Sequence, residues 1–173
     1  MATRPIPVQR FSVTSSKSFA EVVAGVDAKI GHPDTKAFVS AVAAANTSPE
    51  LEAVVHRVLG PSELMEFIRF DLGAVVRKEE GKAARQSVRL VAGNPLIMKP
   101  MLEHVPDAGS YAPVTILIDE RADGVHLSYD RMASFLAPHA NEEALKVDAR
   151  PRLQGRVAAD GGSCVSEDIE PGI

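Results

Sequence analysis

Two stretches of alternating apolar residues, Val114 to Ile118 and Val125 to Tyr129, flank the segment Arg121-Ala122-Asp123-Gly124. Successive side chains on a strand point to opposite faces, so a slip of one residue in a hairpin exchanges its buried and solvated sides. With Arg121-Ala122-Asp123-Gly124 as a four-residue loop, Ile118 lies opposite Leu127 and Ile116 opposite Tyr129, which gives one apolar face. The other face then pairs Asp119 with His126. A two-residue Asp123-Gly124 turn would set Glu120 across from Leu127 and mix charge into the buried side, so the four-residue loop is the expected one.

Three further stretches read as strands: Val8 to Thr14, where Phe11 and Val13 share a face, then Leu64 to Phe70 and Gln86 to Val91. The region between the first two has helical spacing instead. Ser18 and Glu21 have the spacing of a capping box ahead of Phe19, Val22, Val23, Val26 and Ile30, with Gly31 and His32-Pro33 as the stop. Asp34 caps a second helix with Phe38, Val39 and Val42 on its stripe. Ser48 before Pro49 starts a third, lined by Leu51, Val54, Val55 and Val58. Asp130 is expected to cap a short helix through Met132, Ala133 and Phe135. The charged segment from Arg77 to Arg89 is expected to be a solvated helix or loop.

This pattern predicts an α+β fold: a two-layer domain with one mixed or antiparallel sheet of about five strands and helices packed on one face. The domain is expected over residues 1–148, followed by a polar, flexible tail over 149–173. At 173 residues, with 45% hydrophobic and 24% charged residues, the chain is long enough for a core of its own and is not disordered in composition. A net charge of -4 argues against a duplex nucleic-acid binder, which would carry a basic face. The sequence shows no signal-peptide core and no long apolar run, so a cytoplasmic location without membrane contact is expected. The single cysteine, Cys164, cannot form an internal disulfide and falls in the tail, away from any recognisable nucleophile setting.

Gly93-Asn94-Pro95 sits where a strand hands over to a helix. Asn94 can cap, Pro95 suits the first turn, and Gly93 permits another backbone to come close. Exposed amides at such a helix start could hold a carboxylate or phosphate, although the same residues also make an ordinary junction. No Gly-Lys-Ser/Thr follows, so this is not a P-loop. Met98, Met101 and His104 recur every three residues but are expected to fill the core, and no metal site or cofactor is assigned. His126, Ser128 and Asp130 alternate along one strand about 7 Å apart, too far for a direct hydrogen-bond relay.

The leading expectation is a dimeric binding module for a small polar or anionic ligand, with Gly93, Asn94, His126 and Asp130 as candidate ligand-binding residues. An enzyme is the alternative, if folding brings His126, His104 or Asp130 beside the Gly93 loop. A third reading is a structural or interaction protein using the outer sheet face around Leu117.

Residues 93 to 138, GNPLIMKPMLEHVPDAGSYAPVTILIDERADGVHLSYDRMASFLAP, resemble the domain of unknown function 302 family, with a weaker match back to RFSVTSSKSF at residues 10 to 19. The resemblance rests on the Gly93-Asn94-Pro95 handover, the strands VTILIDE and VHLSYD, and the short helix after Asp130. It implies a small two-layer α+β domain, homodimeric and bacterial, and it supplies no catalytic positions. Relatives generally close with a lysine- and alanine-rich amphipathic helix. Here Glu142 to Val147 begins one, and Pro151, Gly155 and Gly161-Gly162 then interrupt the helical period. A missing closing helix would expose apolar surface and remove a subunit contact.

Overall fold

The structure, a computed structural model, describes residues 4–76, 78 and 85–148. In chain order the elements are β1 (Arg10–Ser15), α1 (Phe19–Asp27), α2 (Thr35–Ala44), α3 (Ser48–His56), β2 (Met65–Asp71), α4 (Leu72–Val76), β3 (Ser87–Gly93), α5 (Pro95–His104), β4 (Val114–Arg121), β5 (Gly124–Asp130), α6 (Met132–Leu136) and α7 (Glu142–Asp148). The five strands form one sheet in the order β1-β5-β4-β3-β2, and every neighbouring pair is antiparallel. The fold is α+β, with the antiparallel arrangement realised.

The central hairpin has the expected register: Ile118 opposite Leu127, Ile116 opposite Tyr129, and Asp119 opposite His126. Pairing runs one residue further than expected, to Arg121 and Gly124, so only Ala122 and Asp123 are left to turn the chain. Alternation then decides the core. Leu90, Ile116 and Ile118 are fully buried on one face, and Leu127 and Val125 join them, with Phe19, Val26 and Ile30 covering them from the α1 segment. Burial of each such side chain contributes about 1.5–3 kcal/mol. The capping box is present at α1, where the Ser18 side chain accepts from the Glu21 N–H and Glu21 accepts from the Ser18 N–H.

Two smaller clusters flank this core. Phe38, Val54, Val55 and Met65 bring α2 and α3 against the start of β2. Met101, Val105, Met132, Leu136 and Ala144 tie α5, α6 and α7 together.

Asp130 does not cap α6. The cap residue is Arg131, without a side-chain cap bond, and Asp130 stays on the strand, where its two oxygens accept from Arg10 Nε and Nη2 at 2.7 and 2.9 Å. A cross-strand guanidinium offers a carboxylate two charge-assisted bonds, against one bond to an amide at a cap. A short helix, α4, follows β2 without having been expected, and β3 begins at Ser87. Most of the Arg77 to Arg89 segment, namely 77 and 79–84, lies outside the described residues, as does the tail 149–173 with Cys164. Among the described residues, no helix is long and apolar enough to cross a membrane.

Candidate functional site

Gly93 and Asn94 have the local roles their residue types suggest. A Cβ on Gly93 would stand 2.8 Å from the Cβ of Pro113, so only glycine lets β3 and the approach to β4 come this close. Asn94 is the cap of α5, 8% exposed. Its Oδ1 accepts from the Leu96 N–H at 2.9 Å, and its Nδ2 donates to the Glu63 carbonyl at 3.0 Å. The Ile97 and Met98 amides both donate to the Asn94 carbonyl, at 3.0 and 3.1 Å. Pro95 has no amide to offer. The amides of this helix start are therefore engaged within their own turn, and the anion-binding mouth expected here has lost its donors.

Along the same helix, Met101 is buried, Met98 half-buried and His104 exposed. The helix runs through Pro100 to His104.

His126 and Asp130 lie on the sheet face opposite the main core; His126 is far from Gly93, and Asp130, one position past the Tyr129–Ile116 pair and two strands from β3, has its carboxylate engaged by Arg10. His126 shares a row with Ser87 through Asp119, and Gly93 lies six steps along β3 from Ser87, about 20 Å of strand. His126 Nε2 lies 2.9 Å from Asp123 Oδ1, and Thr14 Oγ1 is 3.4 Å from both ring nitrogens. Proximity to the His126 ring holds the Asp123 carboxyl below its usual range. Asp119, expected as the partner of His126, instead accepts from Arg121 at 2.6 Å. Both contacts stand at the long limit of a hydrogen bond, so Thr14 is not set up as an activated nucleophile.

The rest of this face is apolar toward β2. Ile68 pairs with Val91, and Phe70 with Arg89, which is itself opposite Leu117. Ile68 is 46% exposed and Phe70 41%. The Arg89 guanidinium lies over the Phe70 ring, 5.9 Å from its centroid.

A third arrangement escaped the sequence reading. Asp27 at the end of α1, His32 beyond it and Glu66 on β2 each place a donor atom within 4.8 Å of the other two. Arg69 reaches into the group, with Nη2 on Glu66 Oε2 at 2.6 Å and on Asp27 Oδ1, and Nη1 on Asp27 Oδ2 at 3.3 Å. Two carboxylates hold the Arg69 guanidinium firmly protonated, raising its pKa well above the ordinary arginine value. A bulge between Glu66 and Ile68 makes this possible. Without it, Glu66 and Arg69, three apart, would face opposite sides of the sheet.

The family described as "Domain of unknown function DUF302" matches residues 39–159, more than half of the chain. The chain belongs to that family. Among solved structures it is similar to an uncharacterized conserved DUF302 protein from Bacillus stearothermophilus, with a TM-score of 0.54 and 10% sequence identity over 87% of this chain and 93% of that one. At that identity the likeness speaks for the fold alone. No curated protein matches this chain.

Within this DUF302 chain, the four candidate residues thus fall in two separate places. Gly93 and Asn94 build a closed junction. His126 and Asp130 belong to the opposite sheet face, where His126 is buried and Asp130 is paired with Arg10, and it is the apolar part of that face, at Ile68 and Phe70, that is left exposed.

Proposed function

We propose that this DUF302 chain is a self-associating module whose contact surface is the sheet face carrying Ile68, Phe70, Val91 and Leu117, the occupant being a second copy of the chain. The observation that carries this reading is the exposure of Ile68 and Phe70, two large apolar side chains on the same face of an edge strand. Each is already more than half buried, so covering what remains gains about 1 kcal/mol per side chain. Past the strand end, Leu72, Val75 and Val76 on α4 are also exposed, at 37%, 72% and 48%.

The charge inside the strip is Arg89, which lies between Phe70 and Leu117 with its guanidinium over the Phe70 ring. Elsewhere on the same face Arg10 pairs with Asp130 and Arg121 with Asp119 within the chain. A twofold contact places one patch against itself, and only an offset that keeps each Arg89 over its own Phe70 ring lets two such patches meet without like-charge repulsion. A ligand held by the Gly93-Asn94 turn has less support, because the first-turn amides are already bonded to Asn94.

Sedimentation velocity over a dilution series tests the reading. A dimer that dissociates on dilution is the expected result, and a monomer at every concentration overturns it.

A further inference from the structure

We propose that Asp27, His32 and Glu66 form a binding site for a divalent first-row transition-metal ion, with zinc the best fit, and that Arg69 is the resident counter-ion the metal displaces. The donors come from three separate places in the chain: the last turn of α1, the segment after it, and β2. One imidazole nitrogen and two carboxylates suit zinc and its neighbours, whereas magnesium and calcium prefer oxygen alone.

Spacing agrees with this. Zinc–ligand bonds of about 2.1 Å in a tetrahedron put neighbouring donors about 3.4 Å apart. His32 Nδ1 is 3.4 Å from Glu66 Oε2, and the loosest separation in the trio stays within 4.8 Å, so closing on an ion asks for about 1 Å of side-chain movement.

The scaffold fixes the pair that already fits. Gly31 N–H donates to the Leu64 carbonyl at 2.9 Å, and Glu66 N–H donates to the Gly31 carbonyl at 2.8 Å, so the backbone just before His32 is bound to β2 on either side of Met65. His32 Nε2 lies 3.1 Å from the Asp27 carbonyl oxygen and 3.9 Å from Asp27 Oδ1, while Nδ1 is the nitrogen beside Glu66, so the ring presents one nitrogen to each carboxylate and Nδ1 is the ligand atom once Asp27 closes.

Charge favours a cation as well. Two carboxylates face one guanidinium, which leaves one formal negative charge when His32 is neutral. A divalent ion supplies what Arg69 supplies and one charge more. Asp27 and His32 are open to solvent at 34% and 44% of their side chains, which gives an ion a way in and Arg69 room to swing out.

Equilibrium dialysis of the full chain against zinc, with cobalt as a spectroscopic probe, tests the site. The expected result is one tightly held ion per chain, with tetrahedral cobalt absorption. His32→Ala and Glu66→Gln should each weaken binding at least tenfold, His56→Ala should leave it unchanged, and Arg69→Met should strengthen it by removing the competitor. No ion held by the unmodified chain, or the same affinity in His32→Ala, overturns the proposal. Far-UV circular dichroism of each variant confirms that the loss is not unfolding. The outcome is independent of self-association, which uses the other face of the sheet.

Discussion

Gly31 and Gly60 pack backbone against backbone: a Cβ built on Gly60 would lie 2.5 Å from the Gly31 nitrogen, and one on Gly31 would lie 2.9 Å from the Gly60 nitrogen. The contact holds the segment that carries His32 against the chain entering β2. A methyl at position 31 would also meet the Val58 carbonyl oxygen at 1.8 Å, and main-chain atoms cannot rotate away. Gly31→Ala is expected to cost about 3 kcal/mol or more. Gly25, on α1, meets nothing within 4 Å, so Gly25→Ala should gain about 0.5–1 kcal/mol from helix propensity. Urea denaturation of the two variants checks the contrast, and a Gly31→Ala protein as stable as the parent would refute the close contact.

Asn94 is expected to matter for stability. Asn94→Ala removes the acceptor for the Leu96 amide and leaves the Glu63 carbonyl without this donor, a combined loss of about 1–3 kcal/mol. Asn94→Ser keeps a capping oxygen but has no amide to reach Glu63, so its loss should fall between. If chemical denaturation ranks serine level with asparagine, the Glu63 bond contributes nothing.

The Arg10–Asp130 pair gives stability a defined pH dependence. Arg10, by hydrogen bond and charge, holds the Asp130 carboxyl below its ordinary range. The folded state therefore binds that proton less readily than the unfolded one. Its contribution is complete above the unfolded-state pKa of about 3.9 and is lost as pH falls through the lower folded value. The pair is 65% and 30% exposed, which limits the effect to less than about 1 kcal/mol. Denaturant midpoints of the parent and Asp130→Asn should differ at neutral pH and converge in acid. A gap that widens toward acid would give the shift the wrong sign.

Much of the sheet was legible because alternation is local. The register that set Ile118 opposite Leu127 and Ile116 opposite Tyr129 also set His126 opposite Asp119. The junction at Asn94 was legible too, as cap, proline and close glycine. What the residues could not reveal is where hydrogen bonds end when several partners compete. The first-turn amides found Asn94 itself, Asp130 found Arg10 across the sheet instead of a helix start, and Asp119 found Arg121. The Asp27–His32–Glu66–Arg69 group was hidden for a different reason. A bulge at Glu66/Ile68 breaks the two-residue alternation, so Glu66 and Arg69 converge where simple counting sends them apart. His32 looked like no more than part of a helix stop.

Self-association through the β2 side of the outer face is tested most directly by sedimentation of a double variant, Ile68→Thr with Phe70→Thr. Threonine keeps strand propensity, and both side chains are already 46% and 41% exposed, so the separate chain should stay folded. Val39→Thr, at a site 59% exposed on α2, serves as the control. The account predicts a dimer for the parent and the control, and a folded monomer for the double variant at the same concentration. A double variant that remains as dimeric as the parent would contradict it.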